Sequence, residues 1–218
     1  MKKNFSFNKK HLRFFISLVY AFVLTIFFAV SANALQMQKE FDKTLYSNVI
    51  RLHIVADSDS EYDQQAKIKI RNEILPYLTS ITENARDSAS AELLLQENMA
   101  YIEDELNSVI ERLGYDYQTE IFLSKEYYPV RKYGLFVFPS GTYTSMRINL
   151  GKAEGKNFWC VIYPSVCTEL SYKAEEVSKK LSDAGVSDNV TYYICEKSKE
   201  IEFKFYFLEL LQKLNKNT

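Results

Sequence analysis

The sequence predicts an α+β fold, in which helices are segregated from a mostly antiparallel sheet. Before Gly114, one strand pattern is followed by two stretches whose apolar residues recur at helical spacing. After Gly114, runs of aromatic and β-branched residues alternate with turn sequences that contain Gly and Pro. An N-terminal signal or anchor segment precedes both parts.

The N-terminus is built like an export signal. Residues 1–13 contain five Lys or Arg and no acid, and residues 14–30 contain no charge. Ala32 and Ala34 follow at the spacing that a signal peptidase reads, which predicts cleavage after Ala34. The uncharged run extends to Gln38, long enough to cross a bilayer of roughly 30 Å, so an uncleaved anchor is the alternative.

Both alternatives give the same domain division and the same topology. Residues 1–34 are the signal peptide or anchor, and residues 35–218 form one exported domain, since the basic flank stays in the cytoplasm. Without the five basic residues of the first segment, the exported domain has 22 basic against 28 acidic residues, a net charge of −6. This charge argues against nucleic acid and anionic membrane surfaces as partners. Membrane contact is expected only through residues 14–34, and only if they are retained.

The first elements follow from periodicity and capping. A short amphipathic helix is predicted over residues 36–47, and a half-buried strand over residues 48–56. Ile50, Leu52 and Ile54 alternate there with polar residues, so His53 is expected at the surface or at a sheet edge.

Two helices should follow, over residues 61–82 and 89–113. Ser60 and Asp63 resemble an N-terminal cap of the first one. Pro76 is expected to kink that helix or to end its first part near Leu75.

The second half of the chain predicts strands joined by turns. The strand runs are residues 117–128, 135–138, 142–150 and 157–163. A helix is expected over residues 172–184, then two strands on either side of a polar turn at residues 197–199, and a last helical stretch at residues 208–214.

Three cysteines occur, and export would allow a disulfide to persist. Cys160 and Cys167 close an eight-residue loop, and a bridge across it is worth roughly 2.5 kcal/mol in the chain-entropy model. Two reduced, buried cysteines are the alternative. Cys195 is left over, as a buried small hydrophobe or a reactive thiol.

Few residues suit catalysis or metal binding. His53 is the only histidine outside residues 1–34, and a thiol enzyme would need it beside Cys195 or Cys160. A run of alternating acids starts like a calcium loop but lacks the glycine at position 6 and the glutamate at position 12, so helix capping is the better interpretation. The run consists of Asp57, Asp59, Glu61 and Asp63. No enzymatic activity, metal or cofactor is therefore expected.

Two blocks of the sequence resemble the stage II sporulation protein R family of endospore-forming Firmicutes. They read RLHIVADSDSEYDQQAKIKIRNEIL and YGLFVFPSGTYTSMRINLGKAEGKNFWCVIYPSVC. The six-residue spacing between Cys160 and Cys167 also matches the family. Departures from the family pattern are Asp57, Phe158, Ser165, Thr142 and Thr144.

The resemblance implies a signal rather than an enzyme. Members of this family are made in the forespore and exported into the space between the forespore and mother-cell membranes. There they trigger a membrane-embedded aspartic protease, which removes the pro-segment of the mother-cell sigma factor.

A bridge from Cys160 to Cys167 would hold a pre-ordered aromatic loop that is suited to docking that protease. The predicted contact residues are Phe158, Trp159, Ile162, Tyr163 and Pro164. Alternatively, the strand over residues 157–163 is core, with Trp159 packed inside. An extracytoplasmic thiol enzyme that uses His53 with Cys195 or Cys160 is the rival function.

Overall fold

A computed structural model describes residues 9–134, 136–166 and 174–196. The α+β prediction is confirmed. The helices are α1 (Lys9–Thr44), α2 (Glu61–Thr82), α3 (Ser88–Glu97), α4 (Met99–Arg112), α5 (Ala174–Asp183) and α6 (Asp188–Cys195). The strands are β1 (Ile50–Val55), β2 (Thr119–Tyr128), β3 (Arg131–Tyr133), β4 (Phe136–Phe138), β5 (Gly141–Leu150) and β6 (Asn157–Tyr163).

The chain divides into two compact units, residues 1–39 and residues 40–218. The first unit is dominated by α1, whose mean hydropathy reaches 2.4, so that by length and composition α1 can cross a membrane. The separate helix predicted at residues 36–47 is wrong in its start, because one continuous helix runs to Thr44.

In its described residues, the second unit is organised around a four-stranded sheet of order β2-β5-β1-β6. β1 is parallel to β5 and antiparallel to β6, and β2 is antiparallel to β5. β3 and β4 form a separate two-stranded antiparallel sheet. The earliest strand in the chain therefore lies inside the sheet, and its two neighbours come roughly 90 to 110 residues later.

The core lies between this sheet and the helices α2, α3 and α4. Ala66, Ile70, Ile74 and Leu78, the predicted face of α2, are completely buried. α2 continues through Pro76 to Thr82, so the predicted bounds of 61 and 82 are confirmed, and of the two alternatives at Pro76 the end near Leu75 is wrong. The loss of one backbone donor is outweighed by apolar burial on both sides of the proline.

Two further predictions differ from the structure. The predicted helix 89–113 is divided at Asn98, where α3 ends and α4 begins. The strand expected after residue 189 is instead α6, whose first turn is capped by Ser187. Val190 and Ile194 are both buried at helical spacing, so burial outweighed the strand preference of Tyr192 and Tyr193. The strand and helix predicted beyond residue 196 lie outside the described residues.

Candidate functional site

The four-stranded sheet has a polar side facing away from α2, α3 and α4. We call this side the outer face. Its members include Arg51, His53, Glu126, Tyr128, Ser145, Arg147, Asn157 and Trp159. Strand alternation separates them from the core side, which carries Leu52, Ile54, Met146 and Ile162.

His53 is not at the surface, so its predicted position is wrong. The side chain is only 3% exposed, because β1 is an inner strand and Trp159 covers the ring. Nδ1 lies 2.7 Å from Glu126 Oε1, and Nε2 lies 2.7 Å from the amide oxygen of Asn157. Burial lowers the pKa of His53, while the bonds to Asn157 and Glu126 oppose that shift.

Glu126 connects four side chains of the outer face. Besides His53, it accepts from Arg147 Nη1 at 2.9 Å and from Ser145 Oγ at 3.0 Å. Ser145 Oγ in turn lies 2.6 Å from the hydroxyl oxygen of Tyr128. The Glu126 carboxylate of β2 therefore binds side chains of both β1 and β5. This hydrogen-bond network makes the polar layer rigid.

Arg51 is among the largest completely buried side chains of the described residues. Its Nε donates to the carbonyl oxygen of Cys160 at 2.8 Å, and its Nη2 donates to the hydroxyl of Tyr133 at 2.7 Å. Aromatic rings surround the guanidinium within 4.4 to 5.7 Å and partly replace its hydration through cation–π attraction. They are Tyr128, Tyr133, Phe138 and Tyr143.

Trp159 is only partly buried and lies on the outer face, not in the helix-side core. Its indole stacks on His53 and meets Tyr128 edge to face, with ring centroids 4.5 Å apart. Arg131 of β3 covers the same indole at 5.3 Å. Trp159 therefore joins the sheet to the β3–β4 hairpin while part of its surface stays accessible.

The other predicted contact residues are distributed over different surroundings. Ile162 is fully buried on the core side, and Phe158 packs on that side beneath Arg71 at 4.7 Å. Tyr163 and Pro164 are buried at the end of β6, where they line a cleft of about 620 Å³. Contact of any of these residues with a partner stays a prediction.

The described cysteines do not form a thiol–imidazole pair with His53. Cys160 is buried beside Leu52, on the opposite side of the sheet from His53. Cys195 is buried in α6, and burial raises the pKa of its thiol to about 11, which disfavours a reactive thiolate. Cys167 lies outside the described residues, so its predicted bridge to Cys160 stays a prediction.

The alternating acids after β1 have structural roles. Ser60 caps α2 and accepts from the backbone N–H of Asp63, as predicted. Asp57 and Asp59 each accept a backbone N–H of the β5–β6 turn at 2.7 Å, from Lys152 and Lys156. Within the described residues, no group of three His, Cys, Asp or Glu side chains is arranged to hold a metal.

Comparison with known proteins decides the family. The sequence profile of the family described as stage II sporulation protein R matches residues 46–173. Stage II sporulation protein R of Bacillus subtilis is 30% identical over 147 residues, which cover 67% of this chain. The chain belongs to the stage II sporulation protein R family. This membership places it among proteins of sporulation.

The family match contains the whole outer face. Every strand of the sheet, from β1 to β6, lies within residues 46–173. The aligned part spans 65% of the Bacillus subtilis relative, slightly less than two thirds of its length. No solved structure matches the chain. Ala32 and Ala34 lie in α1, outside the family match, and cleavage after Ala34 stays a prediction.

Sequence reasoning missed Arg51, Glu126, Arg147 and Asn157 as site residues. A signal for Arg51 was present, because Val49 and Val55 share its phase in the strand. Apolar residues in both phases indicate a strand that is buried on both sides.

Proposed function

We propose that this family member is an exported signal of early endospore formation. It triggers a membrane-embedded aspartic protease of the mother cell, which then processes the mother-cell sigma-factor precursor. The observation that carries the proposal is the family match over residues 46–173. The apolar helix α1 supports export, as a cleaved signal or an anchor, into the space between forespore and mother cell.

The chain acts in this proposal by binding, and it performs no catalysis itself. Both ring nitrogens of His53 are held by Glu126 and Asn157, and the Cys195 thiol stays protonated at neutral pH. These two observations oppose the rival thiol-enzyme function. To activate the protease, the bound chain must favour the active form of the protease over the inactive form.

Reconstitution in a host that does not sporulate tests the proposal. The full chain, the candidate protease and the sigma-factor precursor are expressed together, and precursor cleavage is followed on gels. We expect cleavage with the full chain and none with a chain that lacks residues 1–34 and stays in the cytoplasm. The Bacillus subtilis relative is run in parallel with its own protease and precursor.

Two variants separate signalling from enzymatic chemistry. Cys195→Ser should leave precursor cleavage unchanged, because the thiol has no role in binding. Cys160→Ser should reduce cleavage if a bridge to Cys167 orders the loop. No cleavage, with the wild-type chain exported and folded and the relative active, would refute the signalling function.

A further inference from the structure

The outer face, taken together with Arg131 of β3, carries three arginines against two carboxylates, Glu120 and Glu126, in an acidic protein. Three arginines lie on it or against it, Arg51, Arg131 and Arg147. Among the described residues, only Arg147 has a carboxylate within 4.0 Å, and it shares that carboxylate, Glu126, with His53. Arg51 and Arg131 therefore carry charges that the described part of the chain does not neutralise.

Two buried donors of these arginines also lack acceptors. Within the residues that the structure describes, Arg51 Nη1 and Arg131 Nε are both inaccessible and have no hydrogen-bond partner. Arg51 is 0% exposed, so bulk solvent does not reach its side chain. Because buried polar groups are nearly always paired in folded proteins, each unpaired donor needs an explanation.

Both donors lie where the outer face meets β3. Arg131 is the first residue of β3 and covers the Trp159 indole at 5.3 Å. Arg51 covers Tyr128 at 4.4 Å and donates to Tyr133, the last residue of β3. Since Trp159 and Tyr128 are in edge-to-face contact, the two guanidinium groups belong to one continuous cluster.

We propose that this cluster docks a carboxylate of the partner, on an acidic extracytoplasmic segment of the membrane protease. The inference rests on the proposed function and assigns the surface that performs it. A guanidinium matches a carboxylate in charge and in fork geometry. Arg131, which is partly exposed, makes the first contact, and Arg51 lies beneath it as a fixed positive charge.

Charge complementarity selects this occupant over others. The exported domain has a net charge of −6 and repels an acidic segment over most of its surface. The outer face is the local exception and orients that segment. Phe122, 38% exposed and opposite Arg147 in the register, adds an apolar contact on the same side as Trp159.

Binding of the full-length chain to the protease in detergent micelles tests this surface. The dissociation constant is measured by interferometry for wild type, Arg131→Gln and Arg112→Gln. Both variants lose one positive charge, but Arg112 lies on α4, away from the outer face, and pairs with Glu73. We expect at least about tenfold weaker binding for Arg131→Gln, as for loss of one charge-assisted hydrogen bond, and less than twofold change for Arg112→Gln.

A milder variant protects the test against misfolding. Arg131→Lys keeps the charge and loses the planar fork, and we expect roughly threefold to tenfold weaker binding. If Arg131→Gln does not fold, this variant decides the outcome. A charge swap provides the complementary test. Arg131→Glu should weaken binding to the wild-type protease, and replacement of one acidic residue of the protease segment by Lys should restore the affinity.

The possible results separate the inference from the proposed function. Wild-type affinity in both Arg131 variants, with precursor cleavage intact, overturns the docking surface and leaves the signalling function standing. Absence of binding and cleavage with the wild-type chain overturns both. As a last comparison, binding of wild type and Arg131→Gln to vesicles of phosphatidylglycerol and phosphatidylcholine is measured. If Arg131→Gln weakens binding to these vesicles and not to the protease, the ligand is a lipid phosphate and the inference is wrong.

Discussion

The Trp159 indole lies flat on the His53 imidazole, with ring centroids 3.7 Å apart and planes inclined by 15°. Trp159 comes from β6, the last strand in the described sheet order, and His53 from the inner strand β1, and the two residues are direct register partners. The same indole therefore shields a buried titratable group while part of its own surface stays accessible.

Replacement of Trp159 should lower the free energy of unfolding as well as the affinity for a partner. Trp159→Ala removes contacts with His53, Tyr128 and Arg131, so we expect the free energy of unfolding to fall by about 3 kcal/mol. Trp159→Phe retains a ring and should lose about 1 kcal/mol. Urea unfolding followed by circular dichroism measures both, because the chain has no other tryptophan for fluorescence. Equal losses for Ala and Phe would contradict the stacking argument.

The burial of His53 predicts reduced stability in mild acid. Its pKa is lowered in the folded state, so below the unfolded value of about 6.5 the unfolded chain binds more protons. Stability is fully present above that value and decreases as the pH falls from 6.5 toward the folded pKa. Glu126 and Arg147 face the ring and act in opposite directions, Glu126 raising the pKa and Arg147 lowering it.

Urea unfolding between pH 7.5 and 5.0 measures this decrease. The control is His53→Gln, which keeps a polar side chain but has no charge to gain. We expect a smaller decrease in the variant than in wild type. A wild-type stability that rises over the same interval would show that the bonds to Glu126 and Asn157 outweigh burial.

The cap of α2 predicts a contrast between two serines of the same helix region. Ser60 Oγ accepts from the backbone N–H of Asp63 and donates to its carboxylate. Ser60→Ala should cost about 1 to 2 kcal/mol of unfolding free energy. Ser80 is exposed and bonds to the carbonyl oxygen of Tyr77 in its own helix, so Ser80→Ala should change stability by less than about 0.5 kcal/mol. Thermal and urea unfolding distinguish the two, and equal effects would contradict the capping role.

Two glycines with nearly the same backbone conformation should respond differently to Ala. Gly151 has φ +58, and an added Cβ would overlap Asp57 Oδ1. Gly134 has φ +57, and nothing lies within 4 Å of its Cβ position. Gly134→Ala should therefore cost about 1 kcal/mol for backbone strain alone, and Gly151→Ala clearly more. Comparison of their urea midpoints measures the close approach of Asp57 to the β5–β6 turn.

The elements that local sequence determines were predicted well. The helix α2 and its cap at Ser60 follow from the spacing of Ala66, Ile70 and Ile74, and the structure confirms them. The strands β2, β5 and β6 were predicted within two residues of their ends, because turn sequences bound them.

The features that depend on strand order could not be predicted. Whether His53 is exposed is decided by β6, whose Trp159 lies 106 positions later, and by Glu126 of β2. The pattern around His53 fits a half-buried strand as well as a strand buried on both sides. Only the pairing of β1 with its neighbouring strands distinguishes these two cases. For the same reason, the network of Glu126, Arg147 and Asn157 had no local signature.

The position of β1 inside the sheet has a consequence for biosynthesis. As the chain emerges from the ribosome or from a translocation pore, Ile50 appears long before Thr144 and Tyr163, its neighbours in the sheet. Until those strands arrive, both edges of a highly apolar strand are open to wrong pairing, so the nascent domain needs chaperone protection or rapid passage. Any chain truncated before β6 would also leave the buried Arg51 without its acceptor, the carbonyl oxygen of Cys160.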